Sequence, residues 1–525
     1  MEVVVGLDSG TTATKAVTAG DDGRVRDVVS VGYPLLVPGP GRAELDAAAV
    51  CDAAVQALTE IAACARERGD DVVALTLSAA MHGVVPLDGG GRPLGPVLTW
   101  ADGRAAEQAR ALRTRGRASG LHARTGTPVH PMSPLCKLAW LGEHEPDLLR
   151  GTPRWGGVKE LLVGALCEPQ HGVGQHVVDL SCASATGMYD LERRAWDDEA
   201  VELAGLRAEQ LPEVRPTTHV LDGLTSDVAR ATGLRRDLPV VLGASDGVLA
   251  NLGIGAVQRG VAAVSIGTSA AMRAVVDRPT VDPTGRLFCY ALTEHRWVLG
   301  GAVNNGGSVV RWAALALAGV PGIDPPTGED ADELDACLLE EAAQVAAGSE
   351  GLLCLPYLLG ERAPWWREGM RGAYLGLRRE HRRPHLVRAA VEGVCQQLAL
   401  VRAAFPAADL DVHEVRATGG AVASPLWASV LASALELPVR LADSPEGTGL
   451  GAGLLGLHAL GRLDDLDDAA RLVEVHDPVE PDPADSETYR RTRPLVETST
   501  LALADILCEL DALAPDLAGA TEEIP

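Results

Sequence analysis

Residues 4–17, VVGLDSGTTATKAV, place one carboxylate, Asp8, at the end of an apolar β run, then a turn of glycine and small hydroxyls, then a second strand from near Ala13. Gly6 and Gly10 let the backbone approach an anion, and Ser9, Thr11 and Thr12 can donate hydrogen bonds to phosphate oxygens. Asp8 would repel a bare phosphate, so the pattern calls for a divalent cation, by preference Mg²⁺, which takes one or two carboxylates beside nucleotide oxygens. Taken alone, the segment is also consistent with a plain hairpin that has a polar turn. Residues 263–275, AVSIGTSAAMRAV, repeat the plan with Gly267 and Thr268 at the turn. Two such hairpins indicate a duplicated fold with phosphates between the halves.

Other stretches carry chemistry of a different kind. Residues 72–78 read as a strand that runs into the turn Ala79-Ala80-Met81-His82-Gly83, and the C-terminal ends of strands are where α/β sheets place ligands. PVLTWADGR, residues 96–104, sets Trp100 beside Asp102 and Arg104, an aromatic surface with fixed polar groups of the kind that holds a sugar or polyol. Only Lys15, Lys137 and Lys159 are lysines among 46 basic residues, so each marks a place where a compact ammonium is wanted rather than a guanidinium. None follows a glycine, which excludes a Walker A loop. GASDG at 243–247 fits the GxSxG nucleophile elbow, with Ser245 as a hydrolase nucleophile, but that reading leaves both Gly-Thr hairpins unexplained. A GxGxxG match at 451–456 is better explained by close helix packing than by a dinucleotide site.

The two hairpins resemble the duplicated actin-like ATPases, and within them the FGGY carbohydrate kinases. Met132, Pro134, Lys137, Leu138, Trp140, Leu141, Glu143 and His144 follow the spacing of the first FGGY signature, and residues 444–457 resemble the second. TGTPVHPMSPL, the VKE at 158–160, GGAVNNGGSVVRW and LPYLLGERAPWW are most similar to the gluconokinase branch, while the AMHG turn is closer to xylulokinases. The resemblance covers nearly the whole chain. It implies two ribonuclease H-like α/β domains, 1–245 on the substrate side and 246–525 on the adenosine side, with an interdomain catalytic cleft that closes to exclude water.

Carried over residue by residue, the resemblance makes Asp246 the catalytic base and Asp8 a Mg²⁺ ligand. ATP would meet Gly10, Thr11, Thr12 and Lys15 on the first hairpin and Gly267 and Thr268 on the second, with Gly307, Arg311, Gly419, Gly420 and Ser424 around the nucleoside. His82, Trp100, Asp102, Arg104, His130, Met132, Lys159 and Glu160 would line the sugar-acid pocket, with Lys159, His130 and His82 as candidates for the substrate's carboxylate. The activity implied is ATP-dependent phosphorylation of D-gluconate at the 6-hydroxyl. A pentulose kinase is the alternative, and an actin-fold chaperone or assembly ATPase is the alternative from another class.

Positioning these groups needs two large cores, and 525 residues suffice for them. A net charge of −26 argues against nucleic acid or an anionic membrane as partner, while the resemblance implies a small sugar acid and ATP as partners and admits a homodimer. No 18-residue uncharged apolar run is present, the N-terminus MEVVVGLDSG lacks a basic region and cleavage site, and the ten cysteines form no CxxC pair. The expectation is a cytoplasmic protein without thiolate-bound metal. A helix is predicted over 43–68, a Pro-rich surface excursion over 320–335, an acidic Pro-rich stretch after 464, and a last helix near 498–513.

Overall fold

The computed structural model describes residues 1–169, 175–318, 329–442 and 446–513. Most of the expected 320–335 excursion, Ser444 of the second signature and the end beyond 513 lie outside these residues; 329–335 open the helix Glu329–Ala343.

The first hairpin starts a six-stranded sheet because its strands are apolar enough to be covered on both faces: Val3, Val4, Val5, Leu7, Ala16 and Val17 are all fully buried. In spatial order the sheet runs Val220–Leu221, Val240–Ser245, Asp71–Ala79, Glu2–Ser9, Ala13–Gly20, Val25–Gly32. Glu2–Ser9 and Ala13–Gly20 pair antiparallel with Asp8 opposite Lys15, whereas Asp71–Ala79 joins parallel with Ser78 opposite Asp8. The parallel pairing brings the C-terminal ends of three strands, and so Asp8, Ser78 and Asp246, to one edge.

The helix Ala47–Arg68 covers one face. Asp46 caps its N-terminus by accepting from the Ala48 and Ala49 N–H groups, Gly69 closes it in the left-handed region, and Val50, Ala54, Leu58 and Ile61 are buried in the sheet core. This helix is long and apolar enough to cross a membrane, yet its apolar stripe is the core contact itself.

The opposite face carries Gly447–Ala459, and here the GxGxxG glycines find their reason. A Cβ on Gly451 would stand 2.1 Å from the Leu249 carbonyl oxygen, and one on Gly6 would stand 2.2 Å from the Gly449 carbonyl oxygen. The helix lies directly on the strands and on the helix Asp246–Gly253 because no side chain intervenes.

A second six-stranded sheet also has its hairpin at the centre, with two strands rather than one beyond the returning strand: Phe288–Ala291, Trp297–Val303, Ala270–Val276, Val261–Ile266, Glu414–Thr418, Val439–Leu441. Val261–Ile266 again has a parallel neighbour, Glu414–Thr418. The described residues form two compact units, one within 1–259, 274–299 and 446–474, the other within 260–273, 300–442 and 475–513. The acidic EPDPADSE stretch contains a helix start: Asp482 accepts from the Ala484 and Asp485 N–H groups, Pro483 occupies the first turn, and the helix runs Pro483–Ala512, well before the expected start at 498.

Candidate active site

In the first unit the strand ends collect a charged cluster. The Ser78 hydroxyl donates to Asp8 Oδ1 at 2.6 Å, and Lys15 Nζ donates to both Glu446 oxygens at 3.0 Å. Asp246 opens its helix straight out of the strand Val240–Ser245, with Oδ1 accepting the Gly247 N–H at 2.7 Å. Burial, then the charge of Asp246, push the Asp8 carboxyl up to about 7, against the pull of the Ser78 hydroxyl and Lys15. Two facing carboxylates with so little positive compensation suit a divalent cation that completes its shell with water and phosphate. Among the described residues no cluster of three or more His, Cys, Asp or Glu could hold a metal without such help.

The turn of the first hairpin is tied from several sides. Trp100 Nε1 donates to Thr11 Oγ1 at 2.9 Å, the Tyr33 hydroxyl donates to the Gly10 carbonyl at 2.8 Å, and the Tyr33 N–H reaches the Thr12 carbonyl at 2.9 Å. Ser9 departs from expectation. It is fully buried and its hydroxyl pairs with that of Thr14 at 2.9 Å, which removes it from any phosphate.

The residues expected to hold a sugar acid fall into two groups. His82, Lys159 and Glu160 border one cavity, whose other walls include Val84, Leu138 and Trp155. His82 has φ 68°, its Nδ1 meets the Ala185 carbonyl at 2.8 Å, and its ring stands edge-on to Tyr290. Trp100, Asp102, Arg104, His130 and Met132 lie outside that lining. Asp102 is 1 % exposed, and its two oxygens accept from the Ala43 N–H and from the backbone and guanidinium of Arg104; Arg104 also bonds Glu44 and lies over the Trp140 ring. Asp102 and Arg104 therefore brace each other. Met132 is buried, and its N–H donates to His130 Nδ1 at 3.2 Å.

Lys159 requires a correction. Its ammonium donates to the carbonyls of Leu77 at 2.5 Å, Leu242 at 2.6 Å and Ala244 at 3.2 Å, and it lies 3.4 Å from Asp179. All three protons are engaged and none remains for a substrate carboxylate. The carbonyls are exposed by a bulge: the register between Val240–Ser245 and Asp71–Ala79 shifts at Gly243, which has φ 74° and would clash with the Leu77 carbonyl if it carried a Cβ. Lys159 fills the break in the ladder and so clamps the two strands that end in Ser78 and Asp246. Glu160 turns back to its own helix start, accepting the Gly157 N–H at 2.9 Å, and burial raises its carboxyl to about 7.

Lys137 has the more telling surroundings. It is fully buried and donates to the His82 carbonyl at 2.8 Å and the Met132 carbonyl at 2.7 Å. Burial lowers its ammonium to about 7, against the charge of Asp102, and the two carbonyls match the two N–H bonds of a neutral amine. Sequence reasoning placed Lys137 in a signature without giving it this task. It missed Ser78 and Glu446 altogether: Ser78 could have been found as the last residue of a strand ending beside Asp8, while nothing local marks Glu446.

The Ser245 hydroxyl is fully buried against Ser181 Oγ at 2.8 Å, so it presents no nucleophile.

In the second unit the turn is backbone-built. The N–H groups of Gly306 and Gly307 donate to the Thr268 and Gly267 carbonyls at 3.0 and 2.7 Å, and Ser308 Oγ reaches the Thr268 carbonyl at 2.8 Å. Arg311, one turn into the helix Ser308–Ala318, pairs with Asp335 at 3.0 Å. Gly419 sits at φ 107°, against Ile266, and Gly419-Gly420 lead into the helix Pro425–Leu435, whose cap residue Ser424 makes no side-chain cap bond.

Two six-stranded sheets, each with a Gly-Thr hairpin at its centre and a parallel strand beside it, and a carboxylate pair at the strand ends of the first define an actin-like ATPase fold equipped for phosphoryl transfer. The chain belongs to the FGGY family of carbohydrate kinases, whose N-terminal domain matches residues 3–253 and whose C-terminal domain matches 262–460. It is 38% identical over 496 residues to a gluconokinase of Bacillus subtilis, covering 94% of each chain. Among solved structures it is similar to a gluconate kinase from Lactobacillus acidophilus (TM-score 0.87, 32% identity, 96% and 98% of the two chains). It is equally similar to a ligand-bound xylulose kinase from the same organism (TM-score 0.88, 32% identity, 96% and 99%).

Proposed function

We propose that this chain is an ATP-dependent D-gluconate kinase that forms 6-phospho-D-gluconate. The observation that carries the reading is the 38% identity to a gluconokinase over 94% of both chains, joined to a carboxylate pair at the strand ends of the first unit. Asp246 is the base. The helix N-terminus and the Gly247 N–H hold its carboxylate, and it takes the proton of the primary hydroxyl as the bond to the γ-phosphorus forms. Asp8, oriented by Ser78, is the Mg²⁺ anchor with Asp246 beside it. When bound, Mg²⁺ neutralises the charge developing on the transferred phosphoryl group.

Thr11, Thr12 and Lys15 meet the phosphates on one hairpin, with Lys15 held ready by Glu446, and Gly267 and Thr268 meet them on the other. Gly307, Arg311, Gly419, Gly420 and Ser424 surround the nucleoside. In function the division falls at 245/246, with acceptor residues before it and nucleoside residues after it. His82 and His130 replace Lys159 as readers of the substrate's polar groups, and Lys137 fixes the two turns that carry them. The setting is cytoplasmic.

The MHG turn and the likeness to a xylulose kinase structure favour a second reading, a pentulose kinase. A coupled ADP-release screen over gluconate, xylulose, ribulose and glycerol decides between them. Gluconate should give the highest kcat/KM, and a higher value for xylulose would overturn the assignment.

A further inference from the structure

Apart from Gly307, the GGAVNNGG and LLGERAP segments carry no role in the reaction above, yet the second unit builds them into one device. Glu361 is fully buried, and three N–H donors face its carboxylate: Asn304 N at 2.7 Å, Arg362 N at 2.9 Å and Asn305 Nδ2 at 3.1 Å. The asparagines are held from the other side too. Asn304 Nδ2 donates to the Leu359 carbonyl at 2.9 Å, Asn305 Nδ2 to the Gly360 carbonyl at 2.8 Å, and the Leu359 N–H to Asn305 Oδ1 at 3.1 Å. Arg362 closes the ring with Nε on Asn304 Oδ1 at 2.6 Å. Gly360 lets the loop fold back, at φ 64°, where a Cβ would stand 2.4 Å from the Glu368 carbonyl oxygen.

A buried carboxylate is a poor stability device, since its desolvation offsets most of what its partners return, and burial indeed raises this one to about 7. What it does specify is orientation. The two residues after the clamped asparagines are Gly306 and Gly307, whose N–H groups hold the carbonyls of Thr268 and Gly267. Neither position has room for a side chain: a Cβ on Gly306 would lie 2.6 Å from Ser269 backbone atoms, and one on Gly307 3.0 Å from the Gly267 carbonyl oxygen.

We propose that Glu361 is a positioning residue for nucleotide binding. Through Asn304 and Asn305 it fixes the Gly306-Gly307 step, and that step sets the conformation in which the 267–268 turn, its Gly267 N–H already donated to the Ser269 carbonyl, presents the Thr268 N–H and hydroxyl to phosphate. The inference rests on the reading that this turn meets the nucleotide.

Glu361→Gln keeps the size but turns one acceptor oxygen into an amide that faces the Asn305 amide. It should raise the KM for ATP by about tenfold to a hundredfold, the cost of a misplaced binding group, and leave the KM for gluconate within about twofold. Amide exchange at Gly306 and Gly307 should quicken while the strand Val261–Ile266 stays protected. Gly306→Ala strains the same step from the turn side and should shift the KM for ATP in the same direction, which decides the matter if Glu361→Gln does not accumulate folded. Thr268→Ala calibrates the turn. If it raises the KM for ATP while both other variants leave it unchanged, the positioning role is overturned and the turn's own role stands. If all three are silent, both fall. A parallel rise in both KM values would mark general loosening and would also overturn the proposal.

Discussion

The two Gly-Thr hairpins share a topology but not a chemistry. Around the first, the work is done by side chains: Asp8, Ser78, Lys15, Glu446 and Trp100 all touch the hairpin or its neighbouring strand ends. Around the second, the turn is held by backbone, with Gly306 and Gly307 packed too closely for any side chain. Both sheets have thus kept a central hairpin with a parallel neighbour while charge gathered at one copy and close backbone approach at the other. The first copy is suited to metal and proton handling, the second to cradling an anion with neutral dipoles.

The sharpest way to break this contrast is at Asp246. Asp246→Asn should lower kcat by about 10²–10⁴-fold while leaving ATP affinity intact; near-normal turnover would move the base elsewhere. Next in size is Lys159→Met, which strands three carbonyls and Asp179 and should lower unfolding stability by about 3–5 kcal/mol in denaturant titrations. Residual activity on gluconate and on a neutral polyol should fall together, and a loss confined to gluconate would return Lys159 to the substrate pocket. Ser78→Ala should weaken Mg²⁺ by about 10–100-fold, the usual effect of removing a partner that orients a ligand. Thr268→Ala should leave Mg²⁺ dependence unchanged, and an equal shift in both variants would erase the distinction between the hairpins.

The last effect is a pH slope, spread over several pH units. The Lys137 ammonium titrates in the fold at about 7, below its ordinary 10.5, so burial penalises the charged form. That penalty is full below about pH 7 and disappears as pH rises toward 10.5, because over this window the unfolded chain binds more protons than the folded one. Stability of the unaltered protein relative to Lys137→Met should therefore rise across this window, as denaturation at several pH values will report. A flat difference would mean that the amine keeps its proton throughout.

Much of the frame is legible along the chain. The hairpins, the strand from 71 to 79 and the helix beginning after Asp46 follow from apolar runs, turn glycines and a capping carboxylate, all of them local signals. The glycines of 451–456 announce close packing in the same way. The last helix, expected near 498, starts inside the acidic EPDPADSE stretch, because Asp482 and Pro483 become a helix start only through the thirty-residue helix that follows.

What each site residue does was decided by the tertiary structure. Lys159 and Lys137 are both scarce lysines in signature stretches, and nothing in their local sequence tells one that will meet three carbonyls of a bulge from one that will meet two carbonyls of two turns. Lys15 finds its carboxylate 431 residues away, and Asp8 its hydroxyl 70 residues away. Local pattern sets the backbone's period and its turns, so the sequence by itself determined the two-domain fold and the place of the two Gly-Thr hairpins. The protons a buried amine can offer, and the charge a carboxylate can carry, depend on which carbonyls, hydroxyls and ions the sheet brings within about 3 Å, and only folding makes those introductions.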